Sequence, residues 1–406
     1  MIYSSRIPLL AALFFSTLLS RTTIAQPNTW APKADFGGVP RANVVGFSIG
    51  DKGYIGTGTR LFLGIPHEVA DFWQYDPTMD AWTQEATCPG GNRSFAVGFN
   101  IAGKGYIGTG RSGTSAKQDF WQYDPGANAW THKADCGGLA RFAAVGFSIG
   151  NKGYIALGMD TNYTALNDVR EYDPPSDTWT PKANFAGSPR GYAVAFSIGT
   201  KGYVGTGGTL TTFLNDFWEY DPTNDAWTQK AGYDGNGRHN AVAFSIGDKG
   251  YTGTGQDQNN EYEDFSEYDP VGDTWTNKAN FTGGMRAGAT GFSIGNRGYI
   301  GVGRFPDLGL TSDFEEYQPD GPLGIDGSSV PDQQIDLYPT PANEIIYFTS
   351  PSAEGIEVFD AAGDRVFAGR MMQGPMHLDL TALSSGTYLV VLGNGQRTMH
   401  ARFVKL

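Results

Sequence analysis

Residues 141–182 read RFAAVGFSIGNKGYIALGMDTNYTALNDVREYDPPSDTWTPK. Arg141 to Ile149 alternates and is rich in small residues, Gly150-Asn151-Lys152 has tight-turn composition, and Gly153 to Gly158 reads as a second strand. Asp168 to Tyr172 reads as a third strand, Asp173 to Asp177 as a Pro-containing turn, and Thr178 to Lys182 as a fourth. The same passage occurs six times with a period of about 48 residues. Its fixed points are Trp30, Trp82, Trp130, Trp179, Trp227 and Trp275, each followed 11 residues later by Arg41, Arg93, Arg141, Arg190, Arg238 or Arg286. A Tyr follows each Arg by 13 residues, and an Asp precedes a second Tyr by four, as in Asp168 and Tyr172. Self-similarity at this period marks a propeller or solenoid, whose units bury their faces only against copies of themselves.

The ends of the array decide between the two. Trp30 lacks the Tyr expected seven residues before it (position 23 is Thr), and Tyr317 lacks the Trp expected seven residues after it (position 324 is Gly). One repeat is therefore split, and Thr29 to Lys33 supplies the missing outer strand of the last unit. Splitting a unit closes a ring and removes open sheet edges. The expected fold is all-β: a six-bladed β-propeller closed by the N-terminal strand. Small residues in the first strand suit the crowded axis, and Trp and Tyr suit the widening space between blades.

The expected boundaries are a signal peptide at 1–25, the propeller at 26–319, a linker at 320–334 and a C-terminal β-sandwich at 335–406. Arg6, the apolar run Ile7 to Leu19 and the small residues Thr23-Ile24-Ala25 carry the signal reading. That run is short for a membrane span, and no later stretch approaches one, so no transmembrane span is expected in the mature chain. A formal charge of −13 argues against nucleic acid or an anionic membrane surface. Cys88 and Cys136 hold one repeat position, occupied elsewhere by Phe36, Phe185, Tyr233 and Phe281. They are read as small fillers of an aromatic slot, because equivalent atoms of adjacent blades lie too far apart to bridge.

The Gly-rich second strand (Gly205-Thr206-Gly207-Gly208 most clearly), the Tyr-Asp-Pro of the third strand and the Trp seven residues beyond its Tyr resemble the kelch family of propellers over about residues 28–320. Most copies carry Gly-x-Gly in place of the double glycine. Residues Leu337 to Ala342, Val358 to Gly363, Leu378-Asp379-Leu380 before Ser385 to Tyr388, and the final Phe403-Val404-Lys405 resemble the C-terminal sorting domain of the bacterial type IX secretion system. Thr340 stands where that family usually has Asn. The resemblance implies handling by the type IX machinery, with release or attachment at the cell surface.

Only the stretch between the second and third strands changes length from copy to copy, so the face bearing these loops is the expected working face. Its candidate binding residues are Arg60, Phe62, His67, Glu68, Arg111, Tyr163, Phe213, Tyr262, Arg304 and Phe305. The six repeated Arg residues are expected at the channel mouth on that face. As a free ring they would bind a carboxylate or sulfate; paired with the six Asp residues they would tie blades together, which the matching counts favour. The series Lys52, Lys104, Lys152, Lys201, Lys249 and Arg297 reads as solvated residues in the opposite-face turns. The Asn-x-Ser/Thr sequons at Asn92, Asn162 and Asn280 carry no glycan message in a bacterial export setting.

Enzyme readings have less support. Copper-radical oxidases, a related propeller group, need a Tyr, a crosslinked Cys and His ligands, whereas this propeller has only His67, His132 and His239. Carbohydrate chemistry such as sialic acid epimerisation or glycoside hydrolysis needs convergent carboxylates. Glu68, Asp160, Asp257, Glu261, Glu263 and Asp307 are available in loops for it. The reading adopted is a non-catalytic scaffold, with no cofactor or metal, binding a glycan, protein or envelope partner; a carbohydrate-active enzyme is the alternative.

Overall fold

The computed structural model describes residues 28–306, 309–319, 337–338, 345–350, 355–359, 365–370, 374–393 and 398–405. The expected signal peptide, the expected linker and Asp307 lie outside these residues. The chain divides into two compact units, Met1–Pro322 and Leu323–Leu406. No helix among the described residues is long and apolar enough to cross a membrane.

The first unit is a propeller of six four-stranded antiparallel sheets. Blade 1 comprises Val45–Ile49, Lys52–Gly56, Phe72–Asp76 and Ala81–Glu85, from axis to rim. Blades 2 to 5 repeat this order, with inner strands Val97–Ile101, Val145–Ile149, Val194–Ile198 and Val242–Ile246. Blade 6 consists of Thr290–Ile294, Arg297–Gly301, Phe314–Gln318 and, as its outer strand, Thr29–Pro32. Each inner strand packs on the next, and that of blade 6 packs on that of blade 1. The inner strand starts at Val145 rather than at Arg141. The cause is Ala143, which sits at φ +51 and breaks the extended run, as do its counterparts Asn43, Phe95, Tyr192, Asn240 and Gly288. The second strand likewise ends at Ala156, because Leu157 and Gly158 both have positive φ.

Inside a blade, rings stack from strand to strand: Phe47 on Tyr54, and Tyr54 on Phe72 at 5.4 Å. Between blades they meet edge to face, as Phe72 does with Tyr123 at 4.9 Å and with Trp130 at 5.1 Å. This packing explains the glycine before each repeated Tyr. A Cβ on Gly53 would lie 2.3 Å from Phe292 of the neighbouring blade. Cys88 and Cys136 are free thiols, 1% and 2% exposed, in the slot the other copies fill with an aromatic ring. Burial pushes the Cys136 thiol up to about 11.

Neighbouring blades are latched by side chains at the rim. The indole Nε1 of Trp82 donates to the carbonyl of Ala34 at 3.0 Å, and Asp80 Oδ1 accepts from Tyr75 Oη and from the Ala34 amide. The same three bonds recur around Ala86, Ala134, Ala183 and Ala231, with Asn128, Asp177, Asp225 and Asp273 in the acidic position. At the closing joint the N-terminal segment reproduces them. Trp30 Nε1 donates to Ala279, while Asn28 Oδ1 accepts from Tyr317 and from the Ala279 amide.

The second unit holds two antiparallel sheets. One is Leu337–Tyr338, Ile345–Ser350 and Gly374–Asp379; the other is Arg365–Arg370, Gly355–Phe359, Gly386–Gly393 and Thr398–Lys405. Ile346, Ile356, Val358, Leu378, Leu380, Tyr388 and Val390 are buried.

Trp30 packs on Phe265, Phe281 and Tyr317 at 4.8–5.0 Å, as Trp82 packs on Phe36, Tyr75 and Phe314 at 5.0–5.1 Å. Trp30→Ala should therefore cost about 3 kcal/mol, the same as Trp82→Ala, in urea unfolding of the propeller. A Trp30 variant as stable as wild type would refute closure by the N-terminal strand.

Candidate functional site

Every repeated Arg is fully buried and forks onto the Asp of its own blade: Arg41 on Asp71, Arg93 on Asp119, Arg141 on Asp168, Arg190 on Asp216, Arg238 on Asp264 and Arg286 on Asp313. The paired N–O distances are 2.5–2.9 Å in the five blades other than that of Arg238. Nη1 also donates to a backbone carbonyl 16 residues on, and Nε to the carbonyl two residues back. Four of the five guanidinium hydrogens are thus used in every copy. Arg93 and Arg286 spend the fifth on Gly90 and Gly283.

The pairing with Asp is the arrangement the matching counts favour, and it leaves the ring no free fork for a carboxylate or sulfate. Two other expectations change: the fully buried Arg side chains do not line the channel, and the Arg–Asp pair joins parts of a single blade rather than tying blades together. The tie between blades is the Arg carbonyl, which accepts from the second Gly of the preceding blade's Gly-x-Gly, as Arg93 does from Gly58 and Arg41 from Gly303. The Lys series is also engaged: Lys52 pairs with Asp76, Lys104 with Asp124, Lys152 with Asp173, Lys201 with Asp221 and Lys249 with Asp269, at 2.7–3.0 Å, while Arg297 approaches Glu316 at 3.8 Å.

The channel mouth belongs to the second and third residues after each Arg. Asn43, Phe95, Ala143, Tyr192, Asn240 and Gly288 form a closed backbone circle in which each amide donates to the carbonyl of the preceding blade at 2.8–3.2 Å. With the next residue of each strand they line a cavity of about 110 Å³. One side of this mouth is aromatic. Tyr192 stacks on His239 at 5.2 Å, and His239 lies against Phe213 at 4.3 Å and shares a 2.9 Å contact between Nε2 and the Thr212 carbonyl. Burial lowers the His239 imidazole below its usual value. Arg111 lies over Phe95 at 4.9 Å and Phe142 at 5.1 Å, and its Nη1 donates to Tyr163 Oη at 2.9 Å.

The candidate residues therefore separate into three groups. Arg111 packs on Phe95 of the mouth lining with Tyr163 bonded to it, and Phe213 backs His239, which stacks on Tyr192 of that lining. Arg60, Phe62, His67 and Glu68 share a hairpin, Thr59–Phe62 with Ile65–Glu68, on the loop face of blade 1. Tyr262 and Phe305 cover Arg238 and Arg286 at 4.2 and 4.7 Å, and Arg304 is bound by Glu261 and Gln256. Phe95, Phe142, Tyr192, His239, Asn43 and Asn240 were not singled out from sequence. Their signal was present, since the two residues after each Arg run AN, SF, FA, GY, HN and AG inside an otherwise repeated strand.

The loop carboxylates serve the loops. Asp160 accepts the amides of Asn162 and Thr164, Glu68 accepts from Gly113, and Glu261 binds Arg304. Asp257 is held down to about 2 by the hydroxyl of Tyr262 and the amides of Asn259 and Asn260.

Residues 336–406 match the family described as the secretion system C-terminal sorting domain. The chain is accordingly a type IX secreted or cell-surface protein. Among solved structures, that of YjhT is similar with a TM-score of 0.60 and 16% identity, covering 70% of this chain and 95% of that one. At that identity the likeness is one of fold, and it supports the propeller. No curated protein matches the chain.

Burial alone would raise the carboxyls of Asp71, Asp119, Asp168 and Asp216. The hydrogen bonds and charge of their Arg partners outweigh it and hold them below the usual range. The unfolded chain then takes up these protons first as pH falls, so their stabilisation is complete above about pH 4 and lost as pH drops through the lower folded values. Thermal melting should be flat near neutrality and fall steeply only below about pH 4. Asp71→Asn should cost about 3 kcal/mol at pH 7, because Arg41 remains buried, and should flatten the acid decline.

Proposed function

Since the chain ends in a secretion sorting domain, we infer that it exports a binding module: a propeller that engages a partner at the envelope or outside it through its loop face, without chemical turnover. Residues 1–25 act as the leader, 26–319 as the module, 320–334 as the connection and 335–406 as the address. The observation that carries this reading is the blade 1 hairpin. Leu61, Phe62, Leu63 and Ile65 are 48, 54, 87 and 60% exposed on one short ribbon. Its tip sets Leu63 at φ +51 ahead of Gly64 at φ +77, so a bulky apolar side chain occupies a conformation that favours glycine. An apolar surface maintained at a local conformational cost suits contact with a partner. Val39, Leu139, Leu210 and Met285, each 42–59% exposed, extend apolar surface over loops of the same face. The engagement of Asp160, Asp257, Glu68 and Glu261 in loop contacts supports binding over carboxylate catalysis.

Photo-crosslinking residues placed at Phe62 and Leu63 should capture a discrete cell-surface or secreted partner. The same probes at Met79 and Val271, 73 and 90% exposed in turns of the opposite face, should not. Equal capture from both faces, or capture only from the turns, would sink the loop-face assignment.

A further inference from the structure

Resting on the loop-face reading, the geometry points to the channel mouth as a receptor for a single peptide carboxylate, with Arg111 as its anchor. Another loop-face cation, Arg304, is tied to Glu261 and Gln256. Arg111 has no acidic partner among the described residues. Its Nη1 is bonded to Tyr163, whereas Nη2 donates to no protein acceptor there. Two ring faces and a phenol oxygen fix the guanidinium in advance, so little side-chain entropy remains to be lost when a ligand arrives. Tyr163 is itself held, at φ +62 with its amide on Asp160, and its hydroxyl proton remains free to donate.

The chemistry of the site selects its ligand. One unpaired guanidinium in a chain of net charge −13 matches a monoanion and is poorly suited to phosphate chains, which need several cations. The aromatic faces are largely taken, by Arg111 over Phe95 and Phe142 and by His239 between Tyr192 and Phe213. The mouth therefore offers hydrogen bonds in place of a platform for sugar stacking. Asn43 and Asn240 add carboxamides to the lining. A cavity of about 110 Å³, whose lining residue Phe95 carries the Arg111 guanidinium on its ring, admits a slender end group. A peptide C-terminus or an acidic side chain has that shape, and its amides can bond the Asn side chains.

The test immobilises the full chain and compares retention of short random peptides in three pools: free C-terminal acid, C-terminal amide, and amide with one internal Glu. The free-acid pool should be retained, with the plain amide pool weaker by about tenfold or more. Retention of the Glu pool would identify an acidic side chain as the source of the same carboxylate. Arg111→Gln should abolish the preference for the acid, Tyr163→Phe should weaken it while leaving melting unchanged, and Lys201→Ala, on the opposite face, should leave it intact. Equal retention of acid and amide pools, or a preference that survives in Arg111→Gln, would overturn the carboxylate assignment while the loop-face contact stands on its crosslinks. Failure to retain any pool would overturn it as well.

Discussion

The joint between adjacent blades governs this molecule. A single four-stranded sheet has two faces to cover, and here each face meets the next copy edge to face through Phe, Tyr and Trp rings. Burial supplies the attraction, but greasy surfaces slide. The bond from Trp Nε1 to the carbonyl of one alanine, and the bond from that alanine's amide to the Asp or Asn Oδ1 that Tyr Oη holds, fix the angle at which each blade meets its neighbour. Six such angles must complete a turn, and the N-terminal segment supplies the sixth with the same atoms as the other five. Closure is therefore a repetition of the ordinary joint rather than a special device.

Closure has a second expression at the axis. Six residues with positive φ pass hydrogen bonds from blade to blade in a circle. Each amide and carbonyl in that circle is satisfied only if all six blades are in place, because buried main-chain groups left unpaired are costly. The ring holds the backbone and leaves the side chains on it unconstrained. That is why Asn, Phe, Ala, Tyr and Gly can all occupy the same position, and why the mouth is lopsided in a scaffold that is nearly symmetric.

The buried Arg–Asp forks follow from the same economy. A guanidinium in the interior must have its donors satisfied, and the structure satisfies them with one carboxylate and two carbonyls per blade. This anchors the lead-in to the inner strand against the start of the third strand, so the loops spring from rigid points. The diversity of the loop face, from the apolar ribbon of blade 1 to the Arg111 pocket between blades 2 and 3, is carried on a base that does not vary.

Sequence by itself determined the period, the number of blades, the split repeat and the face on which length varies. Each of these depends on spacing along the chain, and spacing survives translation into one dimension. It also matched six Arg with six Asp, since equal counts at fixed registers are visible in a string. It placed the inner strand four residues too early because positive φ at Ala143 is a consequence of the hydrogen-bonded circle, which joins residues some 48 apart in sequence. It put Arg at the channel mouth for the same reason: whether a side chain points at the axis or into the blade depends on the backbone turn that follows it. Arg111, Tyr163 and Phe213 were legible as loop residues, but only the tertiary structure decided that Arg111 meets Phe142 and Tyr163, because those contacts are made across blades whose relative rotation no single repeat encodes.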